Sequence, residues 1–235
     1  MRATVCLPTY NERENLEPMV RALQAVLRER DRVLVIDDCS PDGTGEVADT
    51  LAAELPFISV LHRPRKEGLG PAYLAGFRRA LDDGAELVLE MDCDFSHNPA
   101  DVPRLIAAAE DGADVVLGSR YVPGGGVGSW GLARRAISRG GSIYTELFLR
   151  MGVKDPTGGF KCFRRQVLET IDLAAITAKG YAFQIETTYR AKRAGFYVVE
   201  IPITFDERTN GTSKMSRRIV LEAIWRVPLL RFGRA

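Results

Sequence analysis

Short β-branched runs alternate along this chain with longer segments of helical period, and that alternation limits the possible folds more than any other feature. The runs are "ATVCLP" (3–8), "RVLVID" (32–37), "FISVLH" (57–62), "ELVLEM" (86–91) and "ADVVLG" (113–118). Between them, 13–30, 44–54, 71–83 and 99–111 carry apolar residues three and four apart, the spacing of one helix face. The series predicts an α/β fold with a mainly parallel sheet flanked by helices. At 235 residues, with 46% hydrophobic and 27% charged content, the chain has enough material for one large core.

The polar residues at the strand ends form a pattern of their own. "PTYNE" follows the first strand, "DDCSPDGT" the second, "KEGLG" comes shortly after the third, and "DCDFSH" ends the fourth. Ligands of open α/β sheets gather outside the carboxyl ends of the strands, so these loops predict one binding edge. Asn98 and Pro99 fit an N-cap and first helical residue, with Asp101 in the first turn. Asp92 and Asp94 are therefore expected in a strand-to-helix loop.

Two carboxylates this close repel each other unless a cation or a donor network offsets the repulsion. Mg²⁺ and Mn²⁺ prefer oxygen ligands, and Mg²⁺ fills the positions left by one or two carboxylates with water and phosphate oxygens. Asp92 and Asp94 are read as a metal seat facing a diphosphate; the competing reading is a loop residue beside a solvated neighbour. Asp37 and Asp38 bring acceptor-only groups to the place where nucleotide-binding βαβ units hold a base or ribose, and turn-capping aspartates would look alike. Asn11 reads equally well as a helix cap.

A net charge of +1 gives no global attraction to nucleic acid. Cys6, Cys39, Cys93 and Cys162 lack C-x-x-C spacing, which predicts reduced thiols in a cytosolic protein and no zinc site. The first apolar stretch breaks at Pro8, too short for a signal peptide or a span.

Beyond residue 120, "VPGGGVGSWG" (122–131) predicts a mobile loop, followed by a helix from 132 to 151. A short strand is expected within 155–165, a helix over 182–195 and a strand over 196–205. The tail from Met215 to Phe232 sets apolar residues among arginines, as in an interfacial helix bent near Pro228 or a terminal helix packed on the core.

Together "CLPTYNERENL", "VIDDCSPDGT", "KEGLGPAYLAGF", "MDCDFSHNP", "GSRYVPGG", "ARRAISRGG", "DPTGGFKCFRR", "GYAFQIE" and "RTNGTSKM" resemble the family 2 glycosyltransferases of GT-A fold, specifically the dolichol- and polyprenol-phosphate mannose synthases. The resemblance runs from residue 4 to about 216. It implies a Rossmann-like GT-A domain over 1–212 and a C-terminal amphipathic helix over 213–235.

It also implies nucleotide-sugar contacts from Pro8, Tyr10, Glu12, Asp38, Asp92, Cys93, Asp94, Arg120, Arg208 and Lys214. Asp92, Asp94 and Ser96 would hold Mg²⁺ or Mn²⁺, with Ser96 standing where the family often has Gln. Arg134 and Ser138 would contact the acceptor phosphate, Arg135 could share that role, and Asp94, Arg120 and Arg134 would carry catalysis.

The implied reaction is inverting transfer of mannose from GDP-mannose to a polyprenyl monophosphate, giving a β-linked product. Such an acceptor, with a second pKa near ~6, is largely a dianion at neutral pH and needs no dedicated general base. The implied partners are GDP-mannose, polyprenyl phosphate and the cytoplasmic face of a membrane, reached peripherally or through a separate membrane-anchoring protein.

His97, beside the metal motif, is expected to be an exposed or hydrogen-bonded loop histidine and not a base or ligand, and Gln184 and Glu186 either line the acceptor side or serve their own helix. Three rivals stand beside this reading. They are a UDP-sugar transferase of the same fold, an aspartyl-phosphate phosphatase, whose D-x-D usually follows the first strand, and a noncatalytic nucleotide-binding module.

Overall fold

A computed structural model describes residues 1–178, 180–206 and 225–232. Its main sheet contains β1 (Ala3–Thr9), β2 (Arg32–Asp37), β3 (Ile58–His62), β4 (Leu87–Glu90), β5 (Val115–Ser119), β7 (Lys161–Arg164) and β8 (Val198–Pro202). A separate pair joins β6 (Gly126–Val127) to β9 (Thr204–Phe205). The main order is β3-β2-β1-β4-β7-β5-β8, parallel throughout except for β7, which runs antiparallel to both neighbours.

Side chains alternate across the sheet because successive strand residues point to opposite faces. Cys6, Leu34, Ile36, Val88, Leu117 and Phe163 pack on one side. Val5, Leu7, Val33, Val35, Leu89 and Val116 pack on the other. The connecting helices are α1 (Arg13–Gln24), α2 (Thr44–Glu54), α3 (Leu69–Asp82) and α4 (Val102–Glu110), followed by α5 (Leu132–Leu149), α6 (Arg165–Thr170) and α7 (Tyr181–Arg193). Gly76 lets α3 lie directly on β2, since a Cβ there would come within 2.3 Å of Ile36 Cδ1.

Several expectations are met at the level of single residues. Asn98 Oδ1 accepts the Ala100 amide at 3.0 Å, and Pro99 opens the 3-10 turn that leads into α4. All four cysteines are free thiols, and only Cys39 is exposed.

Other features differ from the sequence reading. The first helix ends at Gln24 rather than near residue 30, because Arg28 turns back to Asp31, with Nε to Oδ2 at 2.8 Å, and reaches Glu110. The segment expected over 196–205 divides into β8 and β9.

The glycine-dense 122–131 stretch, expected as a mobile loop, contains β6. Gly125 serves close approach: a Cβ there would lie 2.5 Å from the Ser119 carbonyl oxygen.

Of the tail, residues 225–231 are helical, with Val227 and Leu230 buried in the core and Trp225 and Phe232 exposed. The rest of the expected amphipathic helix, and the boundary at 212, lie outside the described residues.

Candidate active site

The four loops do meet at the carboxyl edge of the sheet. Three of them carry a non-glycine residue in the left-handed region: Asn11 (φ 56°), Cys39 (φ 61°) and Phe95 (φ 62°). Such backbone costs of order 1–3 kcal/mol per residue and persists where the surroundings over-determine it, as at ligand sites.

The first two loops are tied together by hydrogen bonds. The Asp38 amide donates to the Thr9 carbonyl (3.0 Å), the Asn11 amide to Ser40 Oγ (3.2 Å) and the Glu12 amide to Thr44 Oγ1 (3.0 Å). Glu12 is buried and its carboxylate accepts from Asn15 at 2.7 Å, while Lys66 Nζ sits 3.5 Å above the Tyr10 ring. Pro8 pairs with Ile36 at the β1–β2 edge.

Asp38 is a hub. Its carboxylate accepts from the buried Arg63 guanidinium and from the Glu67 and Gly68 amides, each at 3.2 Å. Arg63 escaped the sequence reading, and Glu67 entered it only as part of the "KEGLG" loop; an arginine followed by proline after the third strand is too common a pattern to single out.

The D-x-D loop is shaped from beneath. Asp92 Oδ1 accepts from the Tyr73 hydroxyl at 3.4 Å, and Asp94 Oδ1 accepts the Ser96 amide at 3.0 Å. Cys93, Asp94 and Ser96 are all buried, and the Ser96 carbonyl accepts the Asp206 amide at 3.2 Å. Among the described residues no group of three or more His, Cys, Asp or Glu side chains could hold a metal. Two carboxylates fixed in this way fit a hard cation that takes its other oxygens from water and phosphate.

His97 is the hydrogen-bonded of the two expected cases, and it is buried. Its Nδ1 accepts the Asp92 amide at 3.1 Å, and its ring stacks on Phe160 and meets Phe205 edge-on. Burial pulls its imidazolium well below the usual histidine range. With Nδ1 engaged and Nε2 carrying the proton, the neutral ring has no lone pair for a base or ligand role.

Arg120 follows β5 and is held by a carboxylate the sequence did not assign. Its Nε and Nη2 reach Asp155 Oδ2 and Oδ1 at 2.7 and 2.6 Å, its amide donates to Oδ2 at 2.9 Å, and Thr157 Oγ1 accepts at 3.0 Å. This bidentate fork immobilises the guanidinium. It lies 5.3, 5.6 and 5.4 Å from the ring centres of Tyr121, Trp130 and Phe205.

The inner stripe of α5 runs Arg134, Ser138, Ser142, Thr145, Leu149, at steps of three and four. Arg134 sits 4.1 Å from the Trp130 ring centre, and Ser138 Oγ accepts from the Tyr121 hydroxyl at 2.7 Å. Arg135 instead donates to the Gly128 carbonyl at 2.7 Å. Arg208 and Lys214 lie outside the described residues.

Beneath the site, Glu90 and Lys161 face each other across β4 and β7, both fully buried. Burial pushes the Glu90 carboxyl up and the Lys161 ammonium down. Lys161 Nζ donates to the Gln184 carbonyl and side-chain oxygens at 2.7 Å and to Thr187 Oγ1 at 3.2 Å. Glu186 Oε1 accepts from Arg190 within α7, while Gln184 Nε2 and Glu186 Oε2 are buried with no hydrogen-bond partner among the described residues.

Comparison with known proteins agrees with this geometry. The model for glycosyl transferase family 2 matches residues 4–172. The chain belongs to that family.

This family 2 transferase is 49% identical over 235 residues to the undecaprenyl-phosphate mannosyltransferase of Micrococcus luteus, covering 100% of this chain and 95% of the relative. It is 48% identical over 227 residues to the polyprenol monophosphomannose synthase of Mycolicibacterium smegmatis, covering 96% of this chain and 85% of the relative. With the dolichol-phosphate mannosyltransferase of Pyrococcus furiosus it shares 36% identity over 225 residues, spanning 94% of this chain and 61% of the relative. The fold also matches glucosyl-3-phosphoglycerate synthase from Mycobacterium tuberculosis in complex with Mn²⁺, UDP and phosphoglyceric acid. There the TM-score is 0.73 at 18% identity, covering 100% of this chain and 79% of that one.

Proposed function

We propose that this transferase moves mannose from GDP-mannose to a polyprenyl monophosphate with inversion, giving β-linked polyprenyl phosphomannose. The observation that carries the reading is the two-sidedness of α5. Its inner stripe brings Arg134 and Ser138 beside the Arg120 clamp, while Leu132, Ile137, Ile143 and Leu147 stand 84%, 62%, 62% and 70% exposed on the outside. An acceptor that is a phosphate on a lipid tail needs both faces; a soluble acceptor needs only the first. The names of the mannosyltransferase relatives support the same choice.

The exposed face, with Arg135 and Arg139 also exposed on α5, has the composition of an interfacial helix. Among the described residues no helix is long and apolar enough to cross a membrane. The enzyme would work at the cytoplasmic membrane surface, peripherally or beside a separate anchoring protein.

Asp92 and Asp94, with Ser96 near, would hold Mg²⁺ or Mn²⁺. When bound, such an ion offsets the negative charge that builds on the departing diphosphate. Pro8, Tyr10, Glu12, Asp38 and Cys93 would line the nucleotide sugar, and Arg208 and Lys214 would add charge from the following segment. The neutral His97, with Nδ1 committed to the Asp92 amide, is consistent with a dianionic acceptor that attacks without a base.

The test is transfer of radiolabelled mannose from GDP-mannose into organic-extractable material with polyprenyl phosphate, detergent and a divalent metal. The expected result is a labelled lipid that requires both the metal and the polyprenyl phosphate. No product despite GDP binding would overturn the acceptor, and binding of UDP in place of GDP would favour the UDP-sugar alternative.

A further inference from the structure

Two aromatic residues beside the site have no assigned part in the reaction. Tyr121 directly follows Arg120, and Trp130 is the last residue but one of the glycine-dense segment before α5. Each ring touches Arg120 on one side and an α5 residue on the other: Tyr121 reaches Ser138 and Arg139, and Trp130 reaches Arg134. Trp130 is buried, and its indole Nε1 has no hydrogen-bond partner among the described residues, so its visible contacts are made by the ring.

We infer that Tyr121 and Trp130 are positioning residues for acceptor transfer, each holding one acceptor-phosphate group of α5 in register with the Arg120 clamp. The inference rests on Arg134 and Ser138 being acceptor contacts.

The chemistry differs at the two residues. A serine hydroxyl has one proton and two lone pairs. Because Ser138 Oγ accepts the Tyr121 proton at 2.7 Å, its own proton is directed elsewhere, and a phosphate oxygen is the partner it suits. Trp130 acts on a cation: a guanidinium 4.1 Å from the ring centre gains a fixed resting plane from the ring face. An arginine already oriented binds phosphate at a smaller entropic cost than one that must be ordered on binding. Both rings also reach the guanidinium that Asp155 holds rigidly, which gives the α5 groups a stationary reference.

The experiment is a pair of double-mutant cycles on the full chain, with KM for polyprenyl phosphate, kcat and GDP affinity measured separately. Tyr121→Phe and Trp130→Leu are each expected to raise the lipid KM roughly five- to tenfold, the size of one lost hydrogen bond or cation–π contact. GDP affinity should stay unchanged. Trp130→Phe, which keeps a ring face, should recover part of the loss.

The deciding result is non-additivity. Tyr121→Phe should add nothing in a Ser138→Ala background, and Trp130→Leu should add nothing in an Arg134→Ala background. Full additivity, or a fall in GDP affinity matching the loss of activity, would overturn the positioning role and leave the acceptor site standing. If Ser138→Ala and Arg134→Ala leave the lipid KM unchanged, the acceptor-site reading itself falls, and the positioning role falls with it.

Discussion

Asp94 and Asp155 show how differently two buried carboxylates at one edge can be used. Asp94 is oriented by a backbone amide and belongs to a pair suited to a hard cation. Replacing it with alanine should lower kcat by about a thousandfold or more, several kcal/mol of lost charge stabilisation. The loss should come with weaker metal-dependent GDP binding and an unchanged melting temperature; normal turnover in Asp94→Ala would remove the metal assignment. Asp155, by contrast, has both oxygens committed to Arg120. Removing one partner of a buried ion pair strands the other, so Asp155→Ala should cost about 3–5 kcal/mol in denaturant unfolding. A loss below about 1 kcal/mol, the range of exposed pairs, would mean that Arg120 is not dependent on its clamp.

At the scale of elements, the β4–β7 pairing places a buried lysine and a buried glutamate under the catalytic edge. Lys161→Met would remove the cation that faces Glu90 and the donor to the Gln184 and Thr187 oxygens, and should cost about 3 kcal/mol in denaturant unfolding. Glu90→Leu combined with Lys161→Met should recover part of that loss, because the Glu90 oxygens have no hydrogen-bond partner among the described residues and an apolar side chain there leaves no buried polar group unmet. Additive destabilisation of the two changes would show that the charges do not act as a pair.

The strands and most helices were legible in the sequence because period 2 and period 3.6 report directly which side of an element is buried. The direction of β7 was not legible. A four-residue strand has no period that tells parallel from antiparallel, and only its neighbours on both sides set it. Likewise the glycines of 122–131 look like slack in the sequence, whereas Gly125 is there because the Ser119 carbonyl comes too close for a side chain.

For the molecule as a whole, the outer face of α5, with the exposed Trp225 and Phe232, is the surface that the proposed membrane contact would use. Changing Leu132, Ile143 and Leu147 together to serine should reduce co-sedimentation with anionic vesicles. It should lower activity on bilayer-embedded acceptor more than on a short, water-soluble polyprenyl phosphate. Equal effects on both acceptors would argue that this face packs against protein instead of lipid.

By itself the sequence determined the βαβ order, the four loops at one edge and the carboxylate pair, since each is written in residues close together along the chain. Only the tertiary structure decided which distant groups complete them: Tyr73 under Asp92, Arg63 on Asp38, Asp155 on Arg120 and Lys161 against Glu90. These pairings join residues 19, 25, 35 and 71 positions apart. No local period encodes such a partner, because it is chosen by which side chains packing brings within reach in a buried site where an unpaired charge is costly.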